Sequence, residues 1–291
     1  MNARLQEAAR PRAVDLVLDS EVAPVGTFTV RRALPARARH SVGPWVFLDH
    51  FGPLRVTPGK GGVSAHPHAG IETVTYLLSG RNEHRDSAGH VGIVSAGGAQ
   101  WMTAGRGVVH AERPLAESEA EMTMHGIQLW TSLPRLEKLS EPRYQRIDAG
   151  AIPRVEREGA TVRVIAGDFG SARGPAVTTS PTLLWHVTLE PNAVLRAAIA
   201  PQLEAGLYVV EGRARLDDGN VGAGQLAVWG AGGEIRFANP GGTRLEAMVL
   251  GGAGAEGPLV FHGPFVMNSV EQVRAAEIAY RTGRMGRLEE D

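Results

Sequence analysis

The string YLLSG at 76–80 returns as YVVEG at 208–212, an offset of 132 residues, and AGG at 96–98 returns as AGG at 231–233. Two matches in the same order, with the spacing slipping by only three residues, point to one structural unit used twice. Both copies lie in sequence cut by 37 glycines and 18 prolines into short apolar runs. Such runs are too brief for most helices and suit strands, as in IETVTYLL at 71–78, LLWHVTL at 183–189, LYVV at 207–210 and LEAMVL at 245–250. A duplicated, strand-rich chain of 291 residues is long enough for two compact domains. The stretch from Leu133 to Ile152, with Pro134, Pro142 and Pro153 at or near it, reads as the crossover, so the expected division is 1–135 and 136–291. Residues 1–13 read as a loose extension, without the apolar run of a secretory signal. Near the other end Ser269 and Gln272 form a capping-box pattern, and Val270, Val273 and Tyr280 follow at helical spacing. A short amphipathic helix should close the second domain.

Lys plus Arg (30) balances Asp plus Glu (31), so no large field draws the chain to nucleic acid. With no apolar stretch of spanning length, a soluble, cytoplasmic chain without a membrane partner is expected. The absence of cysteine removes disulfides, iron–sulfur clusters and thiol nucleophiles. Any metal must therefore be held by nitrogen and oxygen. No GxSxG, Walker loop, GxGxxG or HExxH occurs, so hydrolase, NTPase, Rossmann and zincin readings lack support.

Seven of ten histidines fall between residues 50 and 125, and residues 187–261 have none. At the repeat offset His66 and His68 become Ala198 and Ala200, which makes one half chemical and the other structural. Side chains at i and i+2 of a strand share a face, so His66 and His68 form a possible chelating pair. Alone the pattern is weak: random placement of ten histidines yields an HxH in roughly one chain in three, and two polar histidines at a strand end explain it equally. A second i, i+2 pair, His110 and Glu112, follows the glycine-punctuated TAGRG turn. Facing pairs would supply three nitrogens and a carboxylate, a set suited to Fe(II), Mn, Co, Ni or Zn rather than Ca or Mg. Glu72 is the rival carboxylate, but its repeat mate Glu204 persists where the histidines are lost, which favours a structural role. His84, Asp86 and His90, in RNEHRDSAGH, read as a solvated hairpin turn. Gln100 and Trp101 are candidates for a pocket mouth, and His125 and Gln128 for orienting a ligand imidazole, with core packing the default for all four.

Taken together, VGPWVFLDHFGP (42–53), HPHAGIETVTYLLSG (66–80), QWMTAGRGVVHAE (100–112), IQLW (127–130), EKLSEPRYQ (137–145) and HGPFVMN (262–268) resemble the pirin family of cupins. The resemblance implies an all-β protein of two tandem cupin, jelly-roll-like barrels with a short C-terminal helix. It implies one metal ion, usually iron as Fe(II), held by His66, His68, His110 and Glu112, and a second barrel without ligands. It also implies either a quercetin 2,3-dioxygenase type of reaction on a flavonol-like substrate with dioxygen, with Glu112 as catalytic base, or a non-enzymatic iron-binding co-regulator that docks a protein partner such as a transcription factor or metabolic enzyme. A monomer is expected. Pirins commonly carry Arg after HPH where this chain has Ala69, a departure that bears on substrate choice.

Overall fold

The computed structural model describes residues 10–57, 62–115, 121–217 and 219–288. Strands dominate, as the glycine and proline spacing predicts. They build two units, each with a seven-stranded and a four-stranded antiparallel sheet. In the unit that carries the histidine pairs, the large sheet runs Arg143–Ile147, Ala99–Thr103, Ile71–Ser79, Met122–Ser132, Trp45–Val56, Phe28–Leu34, Glu21–Val25. The small sheet runs Val63–His68, Val108–Pro114, Arg81–Asp86, Val91–Ser95.

The other unit repeats this order. Its large sheet runs Val14–Asp19, Gln225–Trp229, Glu204–Glu211, Leu245–Gly252, Thr182–Leu189, Ala160–Ala166, Arg154–Arg157. Ile71–Ser79 and Glu204–Glu211, the strands that carry the repeated strings, hold the same third place. Its interior is a continuous apolar cluster that includes Trp185, Val187, Leu207, Phe237 and Val249. Burial of that cluster at about 25 cal/mol per Å2 of apolar surface is what this unit has in place of a polar site.

The units are not the linear halves 1–135 and 136–291. The histidine unit takes the described residues of Val22–Arg32, Val46–Gly150 and Ala255–Asp291, and the apolar unit those of Met1–Glu21, Ala33–Trp45 and Ala151–Gly254. Antiparallel pairing follows open sheet edges rather than chain order. Within the expected crossover, Arg143–Ile147 pairs with Ala99–Thr103 and so completes the histidine unit's sheet. Val14–Asp19 takes the corresponding edge beside Gln225–Trp229.

Residues 10–13 are not loose, whereas 1–9 lie outside the described residues. The buried Arg12 guanidinium donates to the carbonyls of Gly230, Ala200 and Leu203 at 3.2, 3.0 and 2.8 Å. Charged hydrogen bonds of this kind contribute about 1.5–3 kcal/mol each before the entropy of ordering the chain. Arg12→Ala is expected to lose about 2 kcal/mol and roughly 4–8 °C in thermal midpoint, read by calorimetry.

The C-terminal helix spans Val270–Arg281, with Ser269 accepting from the Gln272 amide and the Gln272 side chain accepting from Asn268 N. It closes the histidine unit rather than the second barrel. Its Val273 and Ala276 pack with Ala69, Val109, Phe265 and Met267. Ala69 is thus a core contact beneath this helix, on the strand face opposite His68. No helix among the described residues is long and apolar enough to cross a membrane.

Candidate metal centre

Two strands of the small sheet bring the chelating pairs together. Val63–His68 and Val108–Pro114 run antiparallel with His110 directly opposite His66 and Val108 opposite His68. The i, i+2 alternation then sends all three imidazoles to one face. His110 Nε2 lies 3.0 Å from His66 Nε2, which lies 3.1 Å from His68 Nε2. Among the described residues this trio is the one group of three whose ligand atoms fall within 4.8 Å of one another.

Burial, together with the neighbouring imidazoles, pulls His68 down to about 3 and His110 well below the ordinary histidine value. Both rings are therefore neutral near pH 7 and carry a free lone pair. Contacts of 3.0 and 3.1 Å gather the three rings so that a single cation could be reached from all of them. Imidazole nitrogens bind divalent transition metals at bonds of about 2.0–2.1 Å, and the three ligand atoms lie close enough together to share one such ion. The donor set thus fits a divalent transition metal that retains open positions.

Glu112 shares the strand face of His110 but does not join the trio. Its Oε1 accepts from Thr75 Oγ1 at 2.9 Å, from Asn82 Nδ2 at 3.3 Å and from Gln100 Nε2. Thr75 and Gln100 belong to a cross-strand row, since Gln100 and Gln128 both stand opposite Thr75 in the large sheet, whereas Asn82 comes from the small sheet. Thr75 Oγ1 lies 2.7 Å from Gln128 Oε1, so Gln128 supports this carboxylate network instead of an imidazole. Gln100 and Trp101 are both buried, and only the first faces Glu112. Glu72 sits three residues from Thr75 and hence on the opposite face. There it accepts from Thr103 and Thr131, each at 3.0 Å, and ties three strands of the sheet together.

His125 pairs with His50 at 2.7 Å between Nε2 atoms. Burial, with the charges of His125 and Arg31 adding, pulls His50 down to about 3. Beside the trio stands an aromatic wall. The His68 ring meets Trp130 edge-on at 4.9 Å, Phe47 stacks on Trp130 at 4.0 Å, and Arg32 caps Phe47 at 4.6 Å while gripping Asp49 at 2.7 and 2.8 Å.

The segment expected to be a solvated turn is a hairpin: residues 87–90, with His90, form its turn, but His84 and Asp86 lie on a buried strand before it. Arg81–Asp86 pairs with Val108–Pro114, placing Asp86 opposite His110 and His84 opposite Glu112. Its polar residues alternate, with Asn82, His84 and Asp86 inward and Arg81, Glu83 and Arg85 less buried. That period of two was visible in the sequence, and the density of charge concealed it. Burial pushes the Asp86 carboxyl upward, but hydrogen bonds from His84 and His90 outweigh it and hold the group below its ordinary value.

Known proteins match along most of the chain. The Pirin family pattern matches residues 27–131, and the pirin C-terminal cupin domain matches residues 184–286. A pirin-like protein from Solanum lycopersicum is 35% identical over 260 residues, covering 88% of this chain and 87% of its own. Human pirin is 35% identical over 262 residues, covering 88% of each chain. A crystal structure of quercetin 2,3-dioxygenase from Acinetobacter baumannii superposes with a TM-score of 0.89 at 30% identity, covering 96% of this chain and 100% of that one. Paired barrels, matched family patterns in both, and relatives of this identity over nearly nine-tenths of the sequence place the chain in the pirin family.

Proposed function

We propose that the protein is a non-haem metal dioxygenase of the quercetin 2,3-dioxygenase type, acting on planar, flavonol-like substrates. The observation that carries the reading is the convergence of the three imidazoles of His66, His68 and His110, with ligand atoms within 4.8 Å of one another, in a chain that resembles a structure described as such a dioxygenase. His66, His68 and His110 would hold the ion, with Glu112 as fourth ligand, and Fe(II) is the proposed metal. A bound cation of this kind supplies Lewis acidity at an enolic hydroxyl and a place for dioxygen to react.

The chain's own residues have separable tasks. Backbone carbonyls of Ser64 and Pro264 hold His66 and His68 by their Nδ1 atoms at 2.7 and 3.1 Å. Thr75, Asn82 and Gln100 hold the Glu112 carboxylate ready to take the proton of a substrate hydroxyl. Trp130, backed by the stacked Phe47 ring, offers apolar area beside His68, suited to a planar ring system. Buried walls exclude water, which strengthens each of these interactions.

Glu112→Ala tests the role of the base. Loss of a positioned general base lowers rates by about 100- to 10,000-fold, so oxygen uptake with quercetin by the iron-loaded variant should fall at least 100-fold. An undiminished rate would show that Glu112 does not handle the proton. Absence of uptake by the unsubstituted iron-loaded protein across a flavonol panel would defeat the dioxygenase reading itself.

A further inference from the structure

We infer that the tail after the C-terminal helix, residues 282–288, is a positioning element of the metal centre: Met285, seated on Gly107 and tied through Ser87 to Val109, fixes the strand that presents His110. The inference rests on the metal-binding reading above and deepens it. Converging ligands have to be held to within about 0.5 Å by the packing behind them. Alternation along the two strands decides what that packing is. His66, His68 and His110 face inward, so their neighbours Ala65, Ala69 and Val109 face the other way.

That outer face is covered by the end of the chain. Ala69 and Val109 share one buried cluster with Val273 and Ala276 of the helix and with Met285 beyond it. The helix stops where Gly283, at φ +75°, takes the left-handed conformation. Gly283 N donates to Tyr280 O at 3.0 Å and Arg284 N to Ala279 O at 2.8 Å, the paired bonds that reverse a chain at a helix C-terminus. Met285 follows at once and is buried, with 5% of its surface exposed.

Its seat requires glycine. Gly107 ends the TAGRG turn and leads into Val108–Pro114, its φ is +132°, and an added Cβ would lie 2.5–2.7 Å from Met285 Cε, Sδ and Cγ. Ser87 closes the contact. Its hydroxyl donates to Met285 O at 2.5 Å and accepts from Val109 N at 3.0 Å, while Ser87 N donates to Val109 O at 2.8 Å. One hydroxyl thus joins the tail to the residue beside His110.

Met285→Ala opens space over Gly107 and loosens the strand. Competition against a chromophoric chelator should show Ni2+ held about 10-fold more weakly, the low end of the loss when the support of a ligand is removed. Amide hydrogen exchange of residues 108–114 in metal-free protein should quicken by roughly fivefold or more. Met285→Leu, which refills the seat, should restore both readings. Met124→Ala is the control for stability alone, since Met124 is 6% exposed in a different cluster of the same unit, with Leu77 and Val94. It should lower the thermal midpoint yet leave Ni2+ affinity and the exchange of 108–114 within about twofold. Ser87→Ala, which cuts the hydrogen bonds without emptying the seat, should produce the same two changes as Met285→Ala and carries the test should that variant fail to fold.

Either reading unchanged in Met285→Ala, or changed as much by Met124→Ala, overturns the inference and leaves the metal reading standing. If the unsubstituted protein takes up no Ni2+, the metal reading fails and the exchange of 108–114 decides alone: acceleration in Met285→Ala and not in Met124→Ala upholds the hold of the tail on that strand, and its absence overturns it.

Discussion

His110→Ala is expected to yield a folded protein that retains no divalent metal after dialysis and consumes no oxygen with quercetin. His110 is the point at which the centre is assembled from both sides. One neighbouring strand presents His66 to it and the other presents Asp86, while its Nε2 makes the 3.0 Å approach to His66. The variant keeps two nitrogens, from His66 and His68, and a Glu112 carboxylate whose Oε1 is engaged by Thr75, Asn82 and Gln100, and the lost donor also takes its share of preorganisation, so a labile divalent ion at micromolar concentration should not be retained. The fold should persist, because the substitution removes a polar side chain and leaves His84 Nδ1 without its partner, a penalty of about 1–3 kcal/mol. Metal analysis by mass spectrometry and a thermal scan separate the two effects. His186→Ala, in the apolar unit where His186 pairs with Glu246 at 2.6 Å, should leave metal content unchanged. One equivalent of metal still bound to His110→Ala would contradict the proposed centre.

Lys138→Met is expected to be the most destabilising of the substitutions considered, at about 3–5 kcal/mol, or roughly 10 °C in thermal midpoint. Lys138 is fully buried. Its Nζ donates to Gly70 O at 2.8 Å, Ser132 Oγ at 2.8 Å and Val266 O at 2.7 Å, fastening the turn after His68 to the Phe265–Met267 strand. Gly70 sits at φ +75° and an added Cβ would lie 2.3 Å from Val266 O, so backbone packs against backbone here and no side chain can replace the lysine's contacts from that position. Met matches the length but offers no donor, stranding three buried acceptors. Burial pulls the Lys138 ammonium down to about 7, with the charge of Glu256 opposing. In the unfolded chain lysine keeps its proton to about 10.4. Between these values the unfolded state binds more protons, so the lysine's contribution is fullest above the upper one and declines as pH falls through about 7. The gap in thermal midpoint between the two proteins should therefore widen from pH 7 to pH 9. A constant gap would mean that Lys138 titrates alike in both states.

Much of this architecture could be read before any coordinates. The repeated strings occupy the same place in two sheets of identical order, and the cap at Ser269 starts a helix where its pattern predicts one. His66 with His68, and His110 with Glu112, are pairs that a single strand creates by itself, because alternation of side chains is a property of extended backbone. The reading failed where the partner strand carries the meaning. His84 and Asp86 looked like turn residues because strand assignment from charge-rich sequence has no apolar signal to follow. The division at 135/136 failed for a related reason: Arg143–Ile147 and Val14–Asp19 are edge strands, and their unpaired backbone groups are satisfied by sheets that local sequence does not name.

Sequence alone determined the chemical inventory: nitrogen and oxygen donors without thiols, two strand-borne pairs, and a second copy with Ala198 and Ala200 where the first has His66 and His68. Tertiary structure alone decided which of those donors meet. Antiparallel pairing brings together histidines 26 and 44 residues apart, selects the face on which Glu112 finds Thr75 and Glu72 does not, and sets an aspartate behind one ligand where backbone carbonyls stand behind the others. Periodicity is a local property of the chain, whereas register between strands is settled by the whole set of pairings at once.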